Sequence, residues 1–262
     1  MTKLVSKCTI IIEKIICYTL ILVINPTFFM FEMSIVRPII IKTYNYGLIK
    51  YIFHTLCPTF IFINIIGNTM MCILTDTSLK KSEKNGKFCE ICKLHRSERT
   101  WHCPTCNICI LRRDHHCCFF SRCIGLKNLR FYVLYLGYNF LSLVYATFYN
   151  YYYVSTKLDN DMLLSALTII NPFLRHITAE LLSMRDLYMF FLFLNVTLVI
   201  WCGALFWIHI RNVFYGVTTR EYTLSQIKEK RNLKQNLVKA FGVKWYLAII
   251  CPFVYSPVPA DD

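Results

Sequence analysis

Apolar and polar residues fall along this chain in long blocks rather than short periods. Four blocks stay apolar long enough to cross a bilayer, whose hydrocarbon core of about 30 Å takes about 20 helical residues. They cover roughly 15–33, 48–74, 131–154 and 187–210. Pro26 and Glu32 interrupt the first, and Pro58 lies inside the second. Proline is tolerated in a spanning helix where neighbouring helices satisfy the freed backbone groups. Lys3, Lys7 and Lys14 precede or enter the first block as in a signal peptide. The block is too long for that, and no small-residue cleavage site follows it. The pattern predicts an all-α membrane protein with four transmembrane helices. Helices 1 and 2 fall in residues 1–74 and helices 3 and 4 in 131–210, with a polar cysteine-rich domain at 75–130 and a C-terminal segment at 211–262. Residues 75–87 read as an exposed linker, and no internal repeat or low-complexity segment is expected.

Composition agrees: 56% of the 262 residues are hydrophobic and 16% aromatic, with a mean hydropathy of +0.44. A soluble domain rarely needs so much apolar surface, so the excess faces lipid. Net charge is +14, from 29 Lys and Arg against 15 Asp and Glu. Such a balance points to a negative partner, either nucleic acid or an anionic membrane face. The distribution decides between them. Twelve basic residues lie in 75–130 and eight in the segment from Arg211, whereas the 3–4 loop has only Lys157, Arg175 and Arg185, and the 1–2 connection only Arg37 and Lys42. Basic residues concentrate on the cytosolic side of spans. Both termini and the cysteine-rich domain are therefore expected in the cytosol, with lipid headgroups rather than nucleic acid as the partner. Asn195-Val-Thr197 has the form of a glycosylation acceptor but falls mid-span.

Of fourteen cysteines, eight lie in residues 89–123 together with four histidines. Disulfides would need an oxidising compartment, so the island reads as reduced and metal-loaded. Zinc takes four thiolate and imidazole ligands in a tetrahedron. Cys89-x2-Cys92 and Cys103-x2-Cys106 each supply a pair, and His102, Cys109, His116 and Cys123 can complete two sites, with His95 and His115 spare. An iron–sulfur cluster would waste the histidines; a purely structural module of the RING or LIM kind would use the same ligands. One thiol is left over. Cys117 follows Asp114-His115-His116. If a turn brings imidazole and thiol together, His115 can take the proton while Asp114 fixes its tautomer, the logic of a nucleophilic cysteine. Arg112 and Arg113 nearby would favour the thiolate. The bland alternative is an ordinary cysteine beside a zinc site, and Cys118 is expected to be incidental.

These residues resemble the DHHC-type protein S-acyltransferases, the palmitoyltransferases, along nearly the whole chain. The likeness rests on Asp114-His115-His116-Cys117 within the ordered Cys/His pattern, on its place between spans two and three, and on Asn128 followed by Phe131 and Tyr132. It extends to Thr218-Thr219-Arg220-Glu221 after the fourth span and to Asn236-x3-Ala240-Phe241-Gly242. The resemblance implies one zinc on Cys89, Cys92, His102 and Cys109 and a second on Cys103, Cys106, His116 and Cys123. It implies Cys117 as nucleophile activated by His115 and Asp114, a Thr-Thr-x-Glu segment packed on the catalytic loop, and Asn236 satisfying buried backbone groups. It also implies acyl-CoA, palmitoyl-CoA in the family's usual form, as co-substrate and cysteine-bearing proteins as acceptors, in endoplasmic reticulum or Golgi membranes. Arg112, Arg113, Arg122 and Lys127 are candidates for the CoA phosphates. The sequence departs from the family in having Cys118-Phe119 where Pro-Trp is usual, Ser121-Arg122 in place of small polar residues, and no Asp-Pro-Gly after the second span. Phe119 is expected to keep an aromatic wall for the acyl chain. Competing readings are a zinc-bearing scaffold without activity and, more remotely, a channel.

Overall fold

A computed structural model describes residues 2–82, 86–158, 184–223 and 232–259. Among the described residues, four helices are long and apolar enough to cross a membrane: Cys8–Thr43, Leu48–Leu74, Leu129–Thr156 and Asp186–Tyr215. We label the helices that carry them α1 to α4, where α3 is Leu129–Leu158 and α4 is Met184–Tyr215. Each exceeds the length a bilayer requires at about 1.5 Å per residue. Large side chains such as Ile49, Leu56, Ile200 and Trp207 stand exposed along them, as a lipid-facing surface requires. Part of the 3–4 loop, with Arg175, lies outside the described residues.

The first span is longer than its apolar block, because the helix absorbs its prolines. π-helical turns at Leu20–Ile24 and Glu32–Val36 precede Asn25–Phe31 and Arg37–Thr43. Pro26 and Pro38 therefore sit just after a widened turn, where the missing N–H and the ring cost least.

Contacts divide the chain into two compact units: Thr27–Phe62 with Tyr138–Ala204, and Met1–Pro26 with Ile63–Gly137 and Leu205–Asp262. Among the described residues the regular elements of the first of these are all helical. Its core is Val36, Ile40, Tyr153, Val154 and Met189. Several polar groups inside it are paired: Glu32 accepts from Asn150 at 2.6 Å, and His54 sits between the hydroxyls of Tyr145 (2.6 Å) and Tyr149 (3.1 Å). Such pairing is what allows polar side chains within spans. Asn195 is buried, so the glycosylation pattern is not presented.

The other unit holds the cysteine-rich domain, and here the structure corrects the expectation of no repeat. The island is three antiparallel hairpins: β1 (Lys87–Cys89) with β2 (Leu94–Arg96), β3 (Trp101–Cys103) with β4 (Ile108–Ile110), and β5 (His115–Cys117) with β6 (Arg122–Ile124). Their first strands begin at Lys87, Trp101 and His115, fourteen residues apart. Each hairpin turns through a loop whose last residue is left-handed: Lys93 (φ 56°), Asn107 (φ 54°) and Ser121 (φ 49°). Each first strand ends on a cysteine: Cys89, Cys103 or Cys117. Part of the repeat stands in the side chains, with Cys89, Cys103 and Cys117 and likewise His102 and His116 fourteen apart, while the residues of its turns differ.

Hydrogen bonds tie this domain to the helices of its unit. Asn128 accepts from the Gly125 N–H (2.9 Å) and donates to the Cys123 carbonyl (3.1 Å), fixing β6 to the start of α3. After α4 come short helices α5 (Thr219–Thr223), α6 (Leu233–Phe241) and α7 (Trp245–Ile250). Gly216 (φ +66°) makes the turn out of α4, and a Cβ there would lie 2.4 Å from the Asn236 Oδ1, so only glycine fits. Asn236, buried on α6, donates to the Phe214 carbonyl at 2.7 Å and so satisfies the frayed end of α4. Arg130 in α3 holds the carbonyls of Val254 and Ser256 (3.1 and 3.2 Å).

Candidate active site and metal centres

In two of the hairpins the closing cysteine is joined by a second one in the loop, three residues on. Cys89, Cys92, Cys109 and His102 converge, as do Cys103, Cys106, Cys123 and His116. Sulfurs lie 3.8, 3.3 and 3.9 Å from the His102 Nδ1 in one group, and 3.7, 3.2 and 3.6 Å from the His116 Nδ1 in the other. Cys106 and Cys123 sulfurs are 3.8 Å apart. Tetrahedral zinc with Zn–S of about 2.3 Å and Zn–N of about 2.05 Å separates sulfur from nitrogen by ~3.6 Å and sulfur from sulfur by ~3.8 Å. Both groups fit a zinc ion by donor set and by spacing. Arg113 reaches the second group, its Nε 3.3 Å from Cys123 and an Nη 3.8 Å from Cys103, and offsets the thiolate charge.

The hairpins share ligands in sequence. His102 and Cys109 are cross-strand partners in the middle of the second hairpin, and they close the group begun by Cys89 and Cys92 in the first. His116 and Cys123 are the corresponding pair of the third hairpin, and they close the group begun in the second. The third hairpin begins a group of its own with Cys117, but Phe120 stands where the second cysteine would be. Phe120 is buried edge-on against Tyr132 and Tyr135, at centroid distances of 6.0 and 5.1 Å. The spare thiol thus has a structural origin: it is the third copy of a metal-binding position whose partner is aromatic.

Strand geometry, rather than a turn, relates that thiol to its neighbours. Successive side chains in β5 point to opposite faces. His116 faces the metal group, while His115 and Cys117 share the other face. The His115 Nδ1 is 2.7 Å from the Asp114 Oδ2. With the proton on Nδ1, Nε2 is left as an acceptor. Asp114 is held in turn by Thr219, whose N–H donates to Oδ1 (2.6 Å) and whose hydroxyl donates to Oδ2 (3.0 Å). Burial pushes Asp114 upward, but the His115 bond and charge, the Thr219 N–H and the nearby His209 outweigh it and hold the carboxyl below its ordinary value. Burial pushes the Cys117 thiol up to about 11, against the backbone N–H groups of Phe120 and Phe119, which favour the thiolate. The same loop N–H donation is seen in the second hairpin, from Cys106 to the Cys103 sulfur (3.5 Å). A buried thiol of this kind needs a base at neutral pH, and an imidazole stands on its own strand face.

The segment after α4 is built by a capping box. The Thr218 N–H donates to Glu221 (2.8 Å), the Glu221 N–H donates to the Thr218 hydroxyl (3.2 Å), and this opens α5 with Thr219 aimed at Asp114. Arg99, from the linker between the first two hairpins, clasps both Glu221 oxygens at 2.6 Å. Burial raises Glu221, yet the Arg99 and Thr218 bonds prevail and lower it. A lowered carboxyl contributes stability at all pH above its unfolded value and loses it as pH falls through the folded one. Glu221→Gln is therefore expected to loosen 216–223 at neutral pH, as limited proteolysis would show, whereas the unsubstituted segment stays docked until below about pH 4.

Three residues here were not singled out from sequence: Phe120, Arg99 and His209. His209 of α4 is buried, with Nε2 3.2 Å from the Tyr132 hydroxyl and Nδ1 3.8 Å from Asp114. Its signal was an ionisable residue inside an apolar run. Asp114, His115 and His209 form a third close group. Its 2.7 Å contact is a direct hydrogen bond, shorter than the ~3.3 Å that separates two nitrogen or oxygen ligands of one tetrahedral zinc. Phe119 is 39% exposed, and Phe120 beside it is buried. Of the four basic candidates, Arg112 is buried, Arg113 lies on the sulfurs, Arg122 donates to the Thr75 carbonyl (2.8 Å), and Lys127 is exposed and donates to the Ser78 carbonyl (3.2 Å).

Residues 82–226 match the family model described as DHHC palmitoyltransferase. The chain is 28% identical over 207 residues to the probable palmitoyltransferase ZDHHC24 of Rattus norvegicus, covering 76% of this chain and 73% of that protein. It is 30% identical over 176 residues to palmitoyltransferase ZDHHC15 of Homo sapiens, covering 62% of this chain and 47% of that protein. It is 37% identical over 75 residues to the probable protein S-acyltransferase 5 of Arabidopsis thaliana, covering 29% and 16%. With the family model spanning more than half the sequence, and with the paired Cys/His groups and the Asp114–His115–Cys117 strand inside it, the chain belongs to the DHHC palmitoyltransferase family.

Proposed function

We propose that Cys117 carries a long-chain acyl group, palmitoyl in the first instance, from acyl-CoA to cysteines of target proteins. The observation that supports this best is the unliganded thiol of β5 on the same strand face as His115, whose Nδ1 is fixed by Asp114 at 2.7 Å. His115 takes the thiol proton, and the Cys117 sulfur attacks the thioester carbonyl of acyl-CoA. The bond between that carbonyl and the CoA sulfur breaks, and His115 returns the proton to that sulfur, so CoA leaves as the thiol and His115 is again neutral. An acceptor cysteine then gives its proton to His115 and attacks the acyl-Cys117 carbonyl, restoring the free thiol. Both steps exchange one thioester for another, so neither needs an energy source. Each buried methylene stabilises the acyl chain in the bilayer by about 0.8 kcal/mol, which favours chemistry at the membrane surface rather than in bulk water.

Zinc on Cys89, Cys92, His102 and Cys109, and on Cys103, Cys106, His116 and Cys123, would hold the hairpins in register and take no part in the transfer. Among the candidates for CoA phosphates, exposed Lys127 is the most available; Arg112, Arg113 and Arg122 would act by their field. Basic residues at 75–130 and beyond Arg211 support cytosolic termini, and the family suggests endoplasmic reticulum or Golgi membranes. Initial rates with acyl-CoA and an acceptor peptide both varied test the reading. Parallel double-reciprocal lines support it, and intersecting lines contradict a covalent intermediate.

Thr219→Ala removes one of two bonds to Asp114 and keeps the N–H. A hydrogen bond to a charged acceptor is worth about 1.5–3 kcal/mol. The rate of enzyme acylation is expected to fall by about tenfold or more with zinc content unchanged, which stopped-flow CoA release and metal analysis would check.

A further inference from the structure

The two metal groups differ behind their histidines. The Nε2 of His102 is buried and has no hydrogen-bond partner among the described residues. The Nε2 of His116 is 2.9 Å from the Oε2 of Glu13. Glu13 comes from α1, far from the cysteine-rich domain in sequence and outside the segment that matches the family model. Its surroundings make the carboxylate conspicuous. Ile11, Ile12 and Ile15 beside it are well exposed on the lipid-facing side, while Glu13 itself is only 8% exposed. A carboxylate inside a spanning helix is costly and faces a partner within the protein.

We infer that Glu13 is a positioning residue for the second zinc group, orienting His116 as its ligand from the first membrane helix. This rests on the reading that the sulfur-rich groups bind zinc. By accepting the Nε2–H, Glu13 fixes the tautomer that leaves the Nδ1 lone pair among Cys103, Cys106 and Cys123. A carboxylate behind a ligating imidazole also raises its basicity, and losing such a partner typically costs 10–100-fold in metal affinity. The consequence extends past the metal. His116 lies between His115 and Cys117 on β5, so the contact also anchors the strand that carries the nucleophile to α1. The first zinc group, without such a carboxylate, is an internal control.

The test uses the full chain in detergent or nanodiscs. Glu13→Ala and Glu13→Gln are compared with the unsubstituted protein by the rate at which a maleimide labels each cysteine during a chelator challenge, read peptide by peptide in a mass spectrometer. With Glu13→Ala, labelling of Cys103, Cys106 and Cys123 is expected to accelerate by about 10–100-fold while Cys89, Cys92 and Cys109 keep their rate. Glu13→Gln, whose amide oxygen still accepts from Nε2–H, restores most of the protection; Glu13→Leu, which fills the site but cannot accept, is expected to behave as the alanine variant does and carries the test should that variant not fold. Unchanged labelling of the second group, or equal acceleration of both groups, overturns the inference. Unsubstituted protein that contains no zinc and shows neither group protected overturns the zinc reading on which the inference stands.

Discussion

Cys117→Ser is expected to lower enzyme acylation by at least about a thousandfold while leaving two zinc ions bound and the melting temperature nearly unchanged. A serine hydroxyl is far less acidic than a thiol, and nothing on the strand compensates. His115 is placed for a thiol that burial holds near 11, not for an alcohol several units higher. The structural cost is small because Cys117 belongs to neither metal group and its replacement is nearly isosteric. Hydroxylamine-sensitive incorporation of labelled palmitate measures the chemistry, and metal analysis with a thermal melt measures the scaffold. An inactive zinc scaffold would show no acyl incorporation in the parent protein either, so the parent separates the two readings.

The second large effect concerns the metals. Cys123→Ala or Cys89→Ala is expected to release the ion it holds and unfold the hairpins that ion closes. Structural zinc contributes on the order of 10 kcal/mol or more, whereas three-residue strands in two-stranded sheets have little stability of their own. The two losses differ in consequence. Cys123 completes the group containing His116, the residue between His115 and Cys117, so its loss removes the support of the nucleophile's own strand. Cys89 completes the group one hairpin away. Cys123→Ala should therefore abolish acylation, and Cys89→Ala should leave more residual activity in whatever protein survives purification. Zinc stoichiometry and acylation measured on the same samples check the order.

The spans were legible because lipid demands uninterrupted apolar helix, which prints itself as composition. Their ends were less so: α1 continues to Thr43 because π-helical turns accommodate Pro26 and Pro38, a backbone adjustment that leaves no residue signature. The metal groups were legible as a set, since eight ligands at paired spacing leave few arrangements. The fourteen-residue repeat is only partly written in the sequence: Cys89, Cys103 and Cys117, His102 and His116, and Cys109 and Cys123 follow it, but zinc-ligand spacing accounts for them equally well, and the left-handed turns at Lys93, Asn107 and Ser121 that complete it share no residue type. Missing the repeat hid why Cys117 is spare. The relation of His115 to Cys117 followed from strand alternation, but nothing in a three-residue segment announces a strand. Phe120 meets Tyr132 and Tyr135 because the hairpin loop, not sequence adjacency, sets where each aromatic of the loop points. Glu13, Arg99 and His209 act across more than seventy residues of sequence, and no local pattern links them to their partners.

The central claim is that one thiol of the cysteine-rich domain is kept free of metal and takes the acyl group. Protein held with one equivalent of palmitoyl-CoA, quenched in acid and mapped by peptide fragmentation, tests it most directly. The account predicts one palmitoyl group per chain, on Cys117, in protein that carries two zinc ions. Acyl label on Cys118 in place of Cys117, or a zinc ion found on the Cys117 sulfur, would contradict it.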